Sequence, residues 1–160
     1  MVVESLASDG AEAVREIARS SDANIDVEAE LGRPWARLWV ARVAPGEPPL
    51  GFLLAWVVAD ELHLIHVATH PNGRRRGAAR ALMSELLAHG ASVQTRLVLL
   101  EVRRSNRPAI RLYRGFGFTA MGVRRDYYPN GEDAIEMRLT LDPTTGKIIP
   151  GRDEVSVPET

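Results

Sequence analysis

Two stretches of the chain hold residue types able to do chemistry. In the first, Leu64-Ile65-His66-Val67-Ala68-Thr69-His70-Pro71 leads into Arg74-Arg75-Arg76-Gly77-Ala78-Ala79-Arg80. A strand that runs into a basic, glycine-bearing loop opening a helix is suited to anions. The first turn of a helix leaves N–H groups without partners and carries partial positive charge. A phosphate or pyrophosphate settles on such a turn. Gly77, Ala78 and Ala79 let its oxygens approach the backbone, and Arg75, Arg76 and Arg80 add charge. The same residues also read as a solvated arginine cluster or a nucleic-acid patch. They form neither a Walker loop, lacking lysine and hydroxyl, nor a GxGxxG fingerprint. In the second stretch, Glu101 interrupts the apolar run Leu97-Val98-Leu99-Leu100 and Val102. A carboxylate near the end of a buried strand is costly unless paired or useful. Pairing with Arg103 or Arg104 at the sheet's end is the plainer alternative. Tyr113 lies twelve residues further on, where a core aromatic on an apolar helix face is the plain reading. His66 and His70 flank the loop strand without metal-ligand spacing and read as structural.

These residues need a frame. Val2 to Leu6 reads as a short strand, and Asp9 as the N-cap of a helix with Val14, Ile17 and Ala18 on one face. Asp26 to Leu31 is a second short helix, ended at Arg33-Pro34. Arg37 to Val43 and Leu50 to Val58 form a hairpin across a Pro- and Gly-rich turn, and Leu62 to Thr69 is the next strand. Gly77 to His89 is a helix with Gly90 as its cap. Leu97 to Val102 reads as a strand covered on both faces. Asn106 to Arg114 is a helix ended by Gly115 or Gly117. Phe118 to Arg125 and Ala134 to Leu141 are strands, the second alternating with Ile135, Met137, Leu139 and Leu141 inward. Their link, Tyr127-Tyr128-Pro129-Asn130-Gly131, carries an Asn-Gly turn signal. The order β-α-α-β-β-β-α-β-α-β-β specifies one α/β domain over residues 1–141. Residues 142–160 read as an exposed or disordered tail.

Composition narrows the partners. The 160 residues hold 45% hydrophobic and 26% charged residues, ordinary for one globular domain. A net charge of -1 excludes a general electrostatic grip on nucleic acid or an anionic membrane. The distribution is uneven: residues 1–60 hold ten acids and five arginines, and the remainder carries the excess of bases. Lys147 is the single lysine, so an anion site here uses arginine or backbone N–H groups. The absence of cysteine removes disulfides, thiolate metal sites and an acyl-cysteine intermediate. No stretch has the ~18 consecutive apolar residues of a membrane helix, and no basic-then-apolar leader is evident. The expected compartment is the cytoplasm, with no metal and no direct nucleic-acid or membrane partner.

Arg-x-x-Gly-x-Ala after a strand ending Val-Ala-Thr-His-Pro resembles the acetyl-CoA motif of GNAT-type N-acetyltransferases. The resemblance continues through Leu99 to Asn106, through Ala109-Ile110-x-Leu112-Tyr113 with Gly117-Phe118, and through Arg124-Arg125-x-Tyr127-Tyr128-Pro129 with Glu132-Asp133-Ala134-Ile135-x-Met137. This last pair resembles the RimI-type branch, whose members acetylate the N-terminal alanine of a small-subunit ribosomal protein. The match spans about residues 50 to 141. Ala79 stands where a second glycine is commoner, and Ser20 to Glu30 lacks the Phe-Pro-Trp-Ser-like segment of that branch.

The resemblance implies a GNAT fold: a mixed, mostly antiparallel sheet of about seven strands, helices on both faces and a bulged cofactor strand. It implies acetyl-CoA contacts from Val67, Ala68 and Thr69, from Arg75, Arg76, Gly77, Ala78, Ala79 and Arg80, and from Asn106. It implies Glu101 as general base and Tyr113 as the acid that meets the CoA sulfur. The link residues Tyr127 and Tyr128 are expected to shape the acceptor groove. The expected acceptor is a protein or peptide N-terminus, such as that of a ribosomal protein, attacked directly in a ternary complex. An α-amine, with a pKa near ~8 against ~10.4 for lysine, starts about 2.5 units closer to neutrality. A single carboxylate base therefore suits an N-terminus better. A small-molecule amine or a lysine side chain is the alternative acceptor, and a CoA-binding module without turnover the alternative outside enzymes.

Overall fold

The computed structural model describes residues 1–157. The chain divides into two compact units that interleave in sequence: residues 1–58 with 64–89, and residues 59–63 with the chain from 90 onward.

The first unit holds β1 (Val2–Ser5), α1 (Ala11–Arg19), α2 (Val27–Leu31), β2 (Ala36–Arg42), β3 (Gly51–Val58), most of β4 (Glu61–Thr69) and most of α3 (Ala78–Ser92). Its strands follow one another in sequence order, β1 and β3 both antiparallel to β2. The apolar stripe Ala11, Val14, Ile17 and Ala18 of α1 is buried in one cluster with Val27, Leu38, Val40, Phe52, Leu54 and Ala68. Asp26 caps α2, its side chain accepting from the Ala29 N–H at 3.1 Å. Asp9 does not cap α1. Ser8–Gly10 form a 3-10 turn and Gly10 takes the cap position without a side-chain bond. The turn winds so tightly on Leu6 that a Cβ at Gly10 would lie 2.7 Å from its Cδ1. Gly51 serves the site directly. A Cβ there would stand 2.8 Å from the Ala68 carbonyl and 3.3 Å from Leu82, so its absence lets α3 close on β3 and β4.

The second unit contains the first three residues of β4, the end of α3, β5 (Leu97–Arg103), α4 (Arg107–Gly115), β6 (Thr119–Arg124), β7 (Ala134–Leu141) and the unforeseen two-residue β8 (Ile148–Ile149). The strand run is β4-β5-β7-β6, with β8 on β7. Glu61–His63 pair parallel with Leu97–Leu99, and the other recorded ladders are antiparallel. The fold is therefore a mixed, mostly antiparallel α/β sheet of eight strands. On β7, Ile135, Met137, Leu139 and Leu141 are buried, as their alternation requires. β5 departs from the expectation of two covered faces. Val98, Leu100 and Val102 are buried while Glu101 on the opposite face is exposed. Gly90 is not a cap either, because α3 continues to Ser92. A Cβ on Gly90 would press on Leu62, Thr95 and Leu141 at 3.2–3.6 Å, so this glycine allows close packing.

The end of α4 fixes Tyr113. Gly117 adopts φ 104°, the Phe118 N–H bonds to the Tyr113 carbonyl at 3.1 Å and the Gly117 N–H to the Arg114 carbonyl at 2.9 Å. This is a Schellman ending, which wants glycine at its left-handed position. Gly117→Ala is expected to lower stability by about 1–2 kcal/mol, the cost of an L-residue in that region. An unchanged urea midpoint would sink this account of the helix end.

Residues 142–160 are expected to form an exposed or disordered tail; 158–160 lie outside the described residues, and 142–157 are mostly exposed yet hold specific contacts. Ile148 and Ile149 pair with Leu141 and Thr140. The Asp153 carboxylate accepts from Arg114 at 2.7 Å and from the Ala120 N–H at 2.9 Å, and the Glu154 N–H donates to the Ala120 carbonyl at 2.8 Å. Arg114, foremost, holds the Asp153 carboxyl below its ordinary range. A depressed folded-state value means the clasp is fully present above the ordinary aspartate range and is lost as pH falls through the lowered value. Tail amides near Asp153 are expected to gain hydrogen-exchange rate on acidification below about pH 4, beyond the intrinsic change. A protection pattern unchanged by Asp153→Asn would contradict it. Among the described residues no helix is long and apolar enough to cross a membrane.

Candidate active site

The loop half of the site lies in the first unit. The His70 N–H reaches the Leu50 carbonyl at 2.7 Å, and its ring Nδ1 accepts from the Asn72 N–H at 3.1 Å. That bond caps the 3-10 turn Pro71–Gly73, so His70 has the structural role its sequence context suggests. His66 is similar: its Nε2 bonds to the Asn24 carbonyl at 3.1 Å, and burial holds its pKa below the usual value. Beyond the turn, Arg75 and Gly77 take left-handed conformations at φ 63° and 87°. The first intrahelical bond of α3 runs from the Ala81 N–H to the Gly77 carbonyl at 2.9 Å. The N–H groups of Gly77, Ala78 and Ala79 precede it, at the end of the helix where partial positive charge gathers. No atom lies within 4 Å of where a Gly77 Cβ would be, and the side chains of Arg75, Arg76 and Arg80 are exposed. On β4 the Ala68 side chain is buried in the core cluster, so only its backbone is left for a ligand. Val67 and Thr69 are half-buried.

The second unit holds the acid–base half. The Glu101 carboxylate beside the Tyr127 hydroxyl, more than burial, raises the Tyr127 pKa. The Arg124 Nε stands 3.7 Å from Glu101 Oε1 and 3.4 Å from Glu136 Oε2. The two carboxylates, Glu101 first, raise the Arg124 pKa further. The Tyr127 and Tyr128 rings meet edge to face, centroids 5.1 Å apart. The Arg103 guanidinium lies 4.0 Å from the Tyr128 ring centroid, within cation–π range. Burial and then Glu101 push the Tyr128 hydroxyl up to about 12. Tyr113, 6% exposed, has its pKa raised by burial first and then by Tyr128. It therefore holds its proton throughout the neutral range.

The link carrying both tyrosines is pinned at its ends. Gly131 takes φ 84° in the Asn-Gly turn. The Tyr127 and Tyr128 N–H groups converge on the Glu132 carbonyl at 3.2 and 3.1 Å. The Glu132 carboxylate accepts from the Ser105 N–H at 2.8 Å and from Arg103 at 3.2 Å. Asn106 caps α4, its Oδ1 accepting from the Ala109 N–H at 3.2 Å, which leaves its amide nitrogen for other partners.

Glu101, Tyr113, Tyr127 and Tyr128 thus gather in one unit, and the loop residues Val67 to Arg80 in the other. The plainer pairing of Glu101 with Arg103 or Arg104 is replaced by Arg124. The sequence reading assigned no role to Arg124 or Glu136. The alternation of β7 puts Glu136 on its outward face, and that was the one available signal.

The model of the acetyltransferase (GNAT) family matches residues 5–118. The [ribosomal protein bS18]-alanine N-acetyltransferase of Escherichia coli K12 is 40% identical over 93 residues, 56% of this chain and 63% of that protein. An N-alpha-acetyltransferase of Sulfurisphaera tokodaii is 40% identical over 80 residues, covering 49% and 48%. The crystal structure of the ribosomal-protein-S18-alanine N-acetyltransferase from Escherichia coli superposes with a TM-score of 0.76 at 29% identity, over 96% of each chain. In sequence, the chain spans just under two thirds of the length of the Escherichia coli relative.

Proposed function

The chain belongs to the GNAT acetyltransferase family, and on that premise we propose that it transfers acetyl from acetyl-CoA to the N-terminal α-amine of a protein. A chain beginning with alanine, as in a small-subunit ribosomal protein, is the acceptor this reading favours. One observation carries it: Arg124 stands 3.7 Å from the Glu101 carboxylate and 5.7 Å from the Tyr127 ring centroid of the link loop. The proposed proton acceptor and the aromatic pair suited to an extended peptide therefore belong to one cluster. The 40% identity to a ribosomal-protein alanine acetyltransferase supports the same acceptor class.

The loop fits a diphosphate: a helix start with its partial positive charge, open space over Gly77 and flanking exposed arginines. Gly77 to Arg80 with Arg75 and Arg76 would hold that part of acetyl-CoA, the backbone of Val67 to Thr69 its pantetheine arm, and Asn106 a further polar group. When bound, acetyl-CoA supplies an acyl group activated as a thioester. Glu101 accepts the proton of the attacking amine at a carboxylate oxygen, directly or through one water. Tyr113 keeps its proton and offers it from its hydroxyl toward the leaving sulfur.

Incubation with acetyl-CoA and peptides varying in first residue and internal lysines, with small amines alongside, tests the reading by mass spectrometry. Acetyl on the α-amine of the alanine peptide is expected. Label confined to lysine or to free amines would overturn it. Tyr127→Ala and Tyr128→Ala are each expected to raise the peptide KM severalfold, leaving the KM for acetyl-CoA nearly unchanged. A lower melting temperature with peptide kinetics intact would reduce both tyrosines to a structural role.

A further inference from the structure

Acetyl transfer as outlined makes no use of Glu136. It lies on β7 opposite Glu101 in the β5–β7 register, where cross-strand Cβ atoms stand about 5 Å apart and like charges destabilise the pair. The neighbouring strand accommodates this arrangement. β6 shifts register between Ala120 and Gly122, so that Gly122 falls opposite Glu136. A Cβ at Gly122 would be 3.0 Å from Glu136 Oε1, so a side chain there would crowd the carboxylate. Two residues on, Arg124 stands closer to Glu136 than to Glu101, 3.4 against 3.7 Å.

We infer that Glu136 is a positioning residue that draws Arg124 off Glu101 and thereby sets how basic the Glu101 carboxylate is. The inference rests on Glu101 being the proton acceptor. A guanidinium closed on Glu101 would hold it ionised but make it a poorer base, since each opposite charge at contact favours the charged form. The other groups beside Glu101 within its unit are the hydroxyls of Tyr127 and Tyr128. Arg103 on the same strand is turned to Asn130 and Glu132, and Arg138 on β7 is held by Glu154. One guanidinium therefore serves two carboxylates, and the division of Arg124 between them is the adjustable quantity.

The test is a carbon-13 titration of the Glu101 carboxyl in the full chain, its resonance assigned by its loss in Glu101→Gln. A unit charge about 4 Å away in a water-like dielectric shifts a titration by somewhat under ~1 pH unit. Glu136→Gln removes a like charge and releases Arg124, so the midpoint is expected to fall by about half a unit or more. Arg124→Gln should raise it by a similar amount. The double variant should return near the parent, and Arg124→Lys should keep most of the parent value. Both single shifts should shrink in ~1 M salt, where the screening length is ~3 Å. Single shifts of the same sign, or none above about 0.2 unit in folded variants, overturn the inference. If Glu136→Gln does not fold, Arg124→Gln decides alone, and no upward shift refutes it. Opposite shifts together with near-parent turnover in Glu101→Gln would instead leave the tuning intact and overturn the base assignment.

Discussion

Glu101→Gln is expected to lower turnover by roughly 10²–10⁴-fold, the usual contribution of a positioned general base. The substitution keeps shape and size and removes the ability to take a proton. Glu101 is exposed and its backbone is paired to β7, so neither core packing nor the ladder depends on its charge. The acetyl-CoA dissociation constant should therefore stay near the parent's, and the loss should fall on kcat. Glutamine keeps an acceptor oxygen where the carboxylate stood, which separates proton transfer from local geometry. A rate within about threefold of the parent at pH 7 would mean that water or another group accepts the proton.

Gly77→Glu should weaken CoA binding by at least roughly a hundredfold, about 2.7 kcal/mol. The new carboxylate would enter space that is open above the Gly77 Cα and compete for the N–H groups at the start of α3. Backbone strain is a separate effect, because φ at Gly77 is 87° and an L-residue there costs about 1–2 kcal/mol in stability. Gly77→Ala carries the strain without the charge and is the matched control. Calorimetry showing unchanged CoA affinity for the folded Glu variant would refute the assigned loop. Equal weakening in Ala and Glu would trace the loss to the backbone.

The order of elements was legible because period and punctuation change at each boundary: β7 alternates strictly, and Asn106-Arg107-Pro108 opens α4 as a capped helix. Failures came where tertiary packing decided. Gly90 looks like a stop signal in a linear chain, yet α3 runs on past it to Ser92, and a Cβ there would sit tight against Leu62 at 3.2 Å. Glu101 looks buried from its neighbours, but alternation along β5 turns it outward. Its cation could not be read at all. Arg124 reaches Glu101 across an intervening strand and past a register shift, and register is a property of two strands rather than of either sequence. The tail's contacts were hidden likewise, since Asp153 finds Arg114 and Ala120 more than thirty residues away.

The clasp at Ala120 has a consequence for the company this protein keeps. β6 is the last strand of its run, and an outermost strand offers unsatisfied backbone groups to any extended polypeptide. Asp153 and Glu154 take both the N–H and the carbonyl of Ala120, so at that point the edge is already satisfied. The proposed acceptors are flexible chain ends, which could otherwise add themselves to the sheet as a further strand. Closing the rim at Ala120 biases such chains against indiscriminate edge pairing and leaves capture to side chains, the aromatic pair and its carboxylate neighbour.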